Sequence, residues 1–399
     1  MKNCVIWGTG KIGSSQVLKD ILEQKYHIQA YCDSNPKKAG KKLNMLDIIS
    51  AEEIREYLLR HSVSSLFIAV ADKSAIESIR DRIRENHIDD IQVIDLYDAE
   101  MDELENCYLS KEHERLKNRW EINFEERSRT WVKNLLSEVE YWIESYSKNK
   151  GAFIKAYLRN EDFTAYSPEY EKFSEELKNG DVVLDIGSGI TSKFGCITKR
   201  GCRVRVDAVD PLAYYYNQFL PENTPEQKKC HFGLFEFIAD FYPEGSADGI
   251  VINNALDHCI DPFKSIVECL YILKENGHMC TLHRRAEAVY EKYTGLHRWN
   301  MDYNSMDHFI IWNQEHSIDV TKALEEIADV MISHSEESVP REKQTVMVTF
   351  KKKRKFNLDR FIDMPNERYH LAGLLEQLMK YFTEADTAYI YQQLQQLAR

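Results

Sequence analysis

The sequence predicts an α/β protein of two doubly wound domains, joined by a helical segment and followed by a helical tail. Three observations carry that expectation. Residues 4–33 run strand, glycine-rich turn, helix, strand, and close on an acid, Asp33. Residues 181–210 run through the same order a second time and close on Asp210. Around both stretches, short apolar runs alternate with helix-length amphipathic segments, as parallel strands joined by crossover helices require. A chain of 399 residues is long enough to bury two such cores.

The first domain is expected over residues 1–100. Residues 4–7 form a strand, and Gly8, Gly10 and Gly13 make a GxGxxG turn that opens a helix over 14–24. Residues 28–32 are the next strand, with Asp33 about 20 residues beyond the last glycine, the Rossmann-like dinucleotide spacing. In that pattern the glycines let backbone approach a pyrophosphate and the acid takes ribose hydroxyls. Runs at 66–70 and 91–94 supply further strands, with helices at 51–60 and 73–86.

Residues 101–175 read as a helical linker or lid. Trp131, Leu135, Val139 and Trp142 recur on one helical face, a spacing that marks a packing stripe. The second domain follows over 176–353. Residues 182–185 are a strand ending in Asp185, and Gly187 and Gly189 form the turn. A helix-length segment then leads to a strand at 204–209 and to Asp210. A third apolar strand spans 248–253, and Asp261-Pro262 introduces a helix reaching 273. A turn at 274–277, a strand at 278–283, a helix at 321–328 and strands at 330–333 and 345–350 come close to a seven-stranded sheet with a hairpin at its end. The extension 354–399 is helical and amphipathic. Leu371, Leu374, Leu375, Leu378, Met379 and Phe382 share a face that packs on the body or joins a second copy in a homodimer.

Composition removes several functions. A formal net charge of −13 argues against a nucleic-acid partner, which needs Lys/Arg fields. The one basic run, residues 351–355, follows a strand and reads as a solvated strand end. Nine cysteines without a CxxC pair fit reduced thiols in a cytoplasmic protein. No apolar run approaches the roughly 18 residues of a membrane span.

The motifs of the second domain resemble those of bacterial class I S-adenosylmethionine-dependent methyltransferases. They are VLDIGSG at 183–189, VDAVDPLA at 206–213, INNALDHCIDP at 252–262 and ILKENGHMCTLH at 272–283. Glu287, Tyr293, Gly295-Leu296-His297 and Trp299-Asn300 continue the pattern. It departs at Arg284 and Arg285, where less charge is expected, and at Thr191, where the broad motif has a third glycine. The resemblance implies that Asp185, Gly187 and Gly189 surround the methionine and ribose of S-adenosyl-L-methionine. It implies that Asp210 takes the ribose hydroxyls, that Glu236 lies near the adenine, and that Asn253 and Asn254 end the strand facing the sulfonium. The first domain, with Tyr31-Cys32-Asp33-Ser34-Asn35-Pro36 and Gly40, resembles nucleotide-binding modules attached to bacterial sugar-modifying enzymes. That likeness implies a crevice for NAD(P) or a nucleotide-sugar at Gly8, Gly10, Gly13 and Asp33. The alternative is a module used only for packing or presentation.

Methyl transfer from a sulfonium needs acceptor, methyl and sulfur in line and a base for the acceptor's proton. His258, just past the third strand, is the leading candidate base, with Asp257 beside it. His283 and His297 could face the same crevice. Their spacing matches no tight metal signature, so no metal is assigned, although such a cluster suits a divalent ion that orients a diol. The expectation is O-methylation of a sugar or nucleotide-linked small molecule, its charge met by Arg284, Arg285 and Arg298. Two rivals stand beside it. One is an NAD(P)-dependent oxidoreductase or epimerase using residues 1–100, which lack a YxxxK pair; the other is a non-catalytic nucleotide-binding scaffold.

Overall fold

The structure is a computed structural model that describes residues 1–362 apart from 11, 71, 89, 117–118, 166–167, 305 and 336–343. The expected amphipathic tail, including Leu371 to Phe382, lies outside the described residues.

The N-terminal unit is built on strands β1 (Lys2–Trp7), β2 (Tyr26–Asp33), β3 (Lys42–Leu43), β4 (Leu46–Ser50), β5 (Ser65–Ile68) and β6 (Gln92–Asp95), in the order β3-β4-β2-β1-β5-β6. All neighbours run parallel except β3 and β4. Helices α1 (Gln16–Leu22), α2 (Ile54–Arg60) and α3 (Lys73–Glu85) connect them. Strand β4, missing from the sequence expectation, is only five residues long and half polar, so periodicity does not reveal it. The two faces of the sheet carry separate cores, one around Ile6, Tyr31 and Phe67, the other around Trp7, Ile54 and Ile79.

Helices α4 (Ala99–Leu116), α5 (Phe124–Asn149), α6 (Ala152–Arg159) and α7 (Glu171–Glu176) fill the stretch before the second sheet. Asn123 caps α5 by accepting from Glu126 N at 3.2 Å, and Glu125 and Glu126 sit at its electropositive end. Its stripe Trp131, Leu135 and Val139 is buried against Leu212, Tyr216, Phe237 and Ile260.

The second sheet contains β7 (Val182–Ile186), β8 (Arg205–Asp210), β9 (Cys230–Phe232), β10 (Ala247–Asn253) and β11 (Leu273–Arg284). After a small sheet of β12 (Asn300–Tyr303), β13 (Phe309–Trp312) and β14 (Ser317–Asp319), the chain returns with β15 (Ala328–His334) and β16 (Thr345–Lys352). The order is β15-β16-β11-β10-β7-β8-β9, with β16 antiparallel to both β11 and β15. This is the expected seven-stranded sheet with its closing hairpin. The small three-stranded sheet was not anticipated.

Four local expectations change. The segment after Gly189 forms no helix: residues 190–203 are irregular, tied by bridges from Ile197 to Asp162 and Arg203. Gly195 and the β-branched pairs Ile190-Thr191 and Ile197-Thr198 lower helix propensity, and the chain instead lies close against the preceding segment, where a Cβ on Gly195 would sit 2.4 Å from the Glu161 backbone. The sheet face a crossover helix would cover is packed instead by Phe163, Tyr170, Phe173 and Leu177 from the chain around α7. Second, the turn at 274–277 lies inside β11. Ala247 pairs with Leu273 and Gly249 with His278, and the residues between bulge out, with Asn276 at φ +62°. Third, the helix expected at 321–328 is one turn, Val320–Ala323. Fourth, the basic run is not simply solvated. Lys352 is buried and donates to Tyr271 O at 3.0 Å and Leu273 O at 2.7 Å, while Lys353 and Arg354 pair with Asp329 and Glu326.

Candidate functional site

Strands β7, β8, β10 and β11 are parallel, so Asp185, Asp210, Asn253 and His283 reach the same edge of the sheet. A cleft of about 590 Å³ opens there. One wall is the sheet edge with its loops. The other is α5, which contributes Trp131, Leu135, Glu138, Tyr141 and Trp142.

The cleft floor is glycine backbone. Gly187 (φ +75°) and Gly189 (φ +66°) take the left-handed region. A Cβ on Gly187 would lie 2.4 Å from Ala255 Cβ, and one on Gly189 would lie 2.8 Å from the Trp142 ring. Asp185 is 2 % exposed, its Oδ2 has no hydrogen-bond partner among the described residues, and burial pushes its carboxyl up to about 6. Asp210 accepts from Gly189 N at 3.1 Å and Leu212 N at 2.9 Å, which aims the carboxylate at the turn. Burial pushes Asp210 up to about 7, with those two amides pulling the other way.

Glu236 lines the cleft, but its Oε1 accepts from Ile260 N at 2.6 Å and Asp261 N at 3.1 Å. It braces the loop that opens α8 (Pro262–Ile272), and burial raises it to about 7. Asn253 accepts from Lys193 Nζ at 3.4 Å. Asn254 sits at φ +49° and accepts from Arg284 N at 3.0 Å, a strained residue joining the ends of β10 and β11.

All four expected catalytic side chains come together at the far end. His297 Nδ1 lies 2.7 Å from Asp257 Oδ2 and 3.2 Å from His258 Nε2. Trp131 Nε1 holds the His258 carbonyl at 2.8 Å. Burial lowers His297, but the Asp257 hydrogen bond and charge outweigh it and hold the ring up at about 8. His283 is 1 % exposed with neither ring nitrogen hydrogen-bonded, and burial pushes it down to about 4. Glu287 completes this end of the cleft, its carboxyl raised by burial and by Asp257.

Sequence reasoning missed Glu138, Trp142 and Lys193. Trp142 was read as core, yet it lines the cleft with Nε1 donating to Glu138 Oε1 at 3.1 Å. Arg284 lines the cleft as well, whereas Arg285 turns away to pair with Asp302 at 2.7 Å.

In the N-terminal unit, Gly8 (φ +117°) and Gly13 make a tight turn, since a Cβ on Gly13 would fall 1.8 Å from Gly8 O; Gly10 is open. Asp33 is engaged by its own loop. It accepts from Thr9 N at 3.1 Å, from the Thr9 hydroxyl, from Asn35 N at 2.9 Å and from Lys38 Nζ at 2.9 Å. Burial raises its carboxyl, but those donors outweigh it and leave the group lowered.

Residues 1–94 match a family model described as C2185-like, N-terminal, and residues 184–281 match one described as methyltransferase domain. No curated protein matches the chain. Among solved structures, a Rex-family repressor is 17% identical over 30% of this chain, with a TM-score of 0.21. This chain spans 63% of that protein's length. The Haloferax volcanii complex of the Trm112 methyltransferase activator and a putative methyltransferase is 12% identical over 59% of this chain and 100% of that one, at a TM-score of 0.34. Burkholderia thailandensis 1,6-didemethyltoxoflavin-N1-methyltransferase, solved with bound 1,6-didemethyltoxoflavin and S-adenosylhomocysteine, is 14% identical over 54% of this chain and 87% of that one, at a TM-score of 0.32. Likenesses of that size carry no assignment. The methyltransferase-domain match, residues 184–281, falls on β7 to β11, the strands whose ends form the cleft.

Proposed function

We propose that the chain transfers a methyl group from S-adenosyl-L-methionine to an oxygen of a small-molecule acceptor, a sugar or nucleotide-linked sugar. One observation carries the reading: the floor at Gly187 and Gly189, where any side chain would collide with Ala255 or Trp142, lies between two buried carboxylates, Asp185 and Asp210. The residues fit the cofactor. Asp185 Oδ2 is buried without a partner and suits a donor from the methionine end. Asp210, at the end of β8, suits ribose hydroxyls. The ring of Trp142 offers a flat apolar wall. When bound, the cofactor supplies an activated methyl on a sulfonium.

The chain's own residues do the rest. Asn253 and Asn254 close the floor between the cofactor end and the histidine end. His258, His283 and His297 face the acceptor end, and one of these imidazoles takes the acceptor's proton. Arg284 lines the cleft half-exposed, paired at 3.5 Å with Glu287, and suits a phosphate or other anionic group. The nine cysteines are all unpaired thiols, which supports the cytoplasmic reading, and no described helix is long and apolar enough to cross a membrane.

A dinucleotide on the N-terminal unit would have to displace Thr9 or Lys38 from Asp33, so packing or presentation suits that unit better than redox chemistry. Calorimetric titration with S-adenosylhomocysteine tests the proposal. Binding in the micromolar range that Asp210→Ala abolishes supports it, and an acceptor screen over nucleotide-sugars follows. No binding, beside a clear signal for NADH, sinks it.

A further inference from the structure

The histidine end of the cleft is more tightly drawn together than proton transfer requires. His297 Nδ1, His258 Nε2 and Asp257 Oδ2 converge on one point, with separations of 2.7 Å, 3.2 Å and 3.6 Å. A ring nitrogen carries at most one proton. If His297 Nδ1 donates to Asp257, the lone pair of His258 Nε2 is left facing a donor already engaged. Three ligand atoms each about 2.0–2.2 Å from one tetrahedral ion stand about 3.3–3.6 Å apart, close to the trio seen here.

A second observation points to something bound between them. Asp257 is 1 % exposed, yet its Oδ1 has no hydrogen-bond partner among the described residues. Among the described residues, His283, buried and lining the same cleft, has neither nitrogen hydrogen-bonded, and Glu287 Oε2 beside it has no hydrogen-bond partner either. Buried polar atoms in that number normally find partners.

We infer that Asp257, His258 and His297 bind a divalent transition-metal ion whose open coordination positions face the cleft and take an acceptor oxygen. Two imidazoles and one carboxylate suit zinc, manganese, iron or cobalt better than magnesium or calcium. Three protein ligands with the remaining positions open are the arrangement of a reacting site, not of a structural one. The acceptor class is narrowed accordingly, to compounds that present a hydroxyl with a neighbouring hydroxyl or carbonyl, able to chelate the ion. Bound to it, the acceptor hydroxyl is acidified, and His283 stands free of the ion to receive the proton. What the ion does for the acceptor rests on the methyl-transfer reading; whether it binds does not.

The test is Co²⁺ titration of the full chain, purified with chelator and dialysed, followed by visible absorption. S-adenosylhomocysteine binding is measured on the same samples. The expected result is a single Co²⁺ giving visible bands, displaced by Zn²⁺. His297→Gln and Asp257→Asn should each weaken it by more than about tenfold while S-adenosylhomocysteine still binds. His297→Gln, at a partly exposed position, guards against a variant of the buried Asp257 that fails to fold. Wild-type protein that binds S-adenosylhomocysteine but gives no bands overturns the inference, as do bands unchanged in both variants. Failure to bind S-adenosylhomocysteine beside intact Co²⁺ bands overturns the methyl-transfer reading alone.

Discussion

Single residues at the cleft separate strain from function. Gly201 has φ +77° with nothing near its missing Cβ, so Gly201→Ala carries only the left-handed penalty, about 1–2 kcal/mol. Gly187→Ala adds a 2.4 Å approach to Ala255 Cβ and should lower the melting temperature further. Gly189→Ala meets only the Trp142 side chain, which can swing away, so its expected effect is weaker S-adenosylhomocysteine binding with a melting temperature near that of Gly201→Ala. Thermal melts of the three variants, with and without S-adenosylhomocysteine, check that order; equal loss of binding in all three would break the link between the floor and the cofactor. Gly187, Gly189, Asp185 and Asp210 were legible in the sequence because each sits at a strand end whose apolar run announces it. The engagement of Glu236 and Asp33 was not. Both acids stand where a ligand contact is expected, and only the fold shows that backbone amides or Lys38 already occupy their oxygens.

At the scale of elements, the cleft is made by a helix the motifs do not contain. Periodicity placed the Trp131–Trp142 stripe on one helical face, and a face pattern cannot tell a core neighbour from a pocket. In the structure α5 serves both, burying Leu135 and Val139 and presenting Trp142 to Gly189. The absent crossover helix after Gly189 has a related consequence. With no helix starting at the turn, no helix dipole aids an anion there, and the proposed cofactor would be oriented by the Gly187 and Gly189 backbone with the Trp142 ring. Trp142→Ala should therefore weaken S-adenosylhomocysteine binding by about tenfold, or about 1.4 kcal/mol. Trp142 is only half-buried, so the melting temperature of the ligand-free protein should change little. Calorimetry beside thermal melts reads the two effects apart, and unchanged affinity would reduce α5 to a cover.

Across the whole molecule, the cleft stores unfavourable charge that a ligand can relieve. Burial raises Asp185 to about 6 and Asp210 and Glu236 to about 7, from ordinary values of 3.8, 3.8 and 4.5. For an acid raised in the folded state, the folded chain holds more protons than the unfolded chain between those two values. Stability from these groups is therefore present at low pH and declines as pH rises from about 4 to about 7. Asp33 and Glu100 are lowered and work in the opposite sense, so a pH profile of the ligand-free protein mixes both signs. The difference between liganded and free protein removes those remote groups. On the proposed reading, ribose hydroxyls donate to Asp210 and favour its carboxylate, so binding is coupled to loss of its proton, and affinity for S-adenosylhomocysteine should climb as pH passes through about 7. The rise in melting temperature on adding S-adenosylhomocysteine should accordingly be larger at pH 8 than at pH 5.5. In Asp210→Asn, which cannot ionise, that pH dependence should flatten. A shift that is equal at both pH values in the wild type, or as steep in Asp210→Asn as in the wild type, would remove Asp210 from the cofactor site.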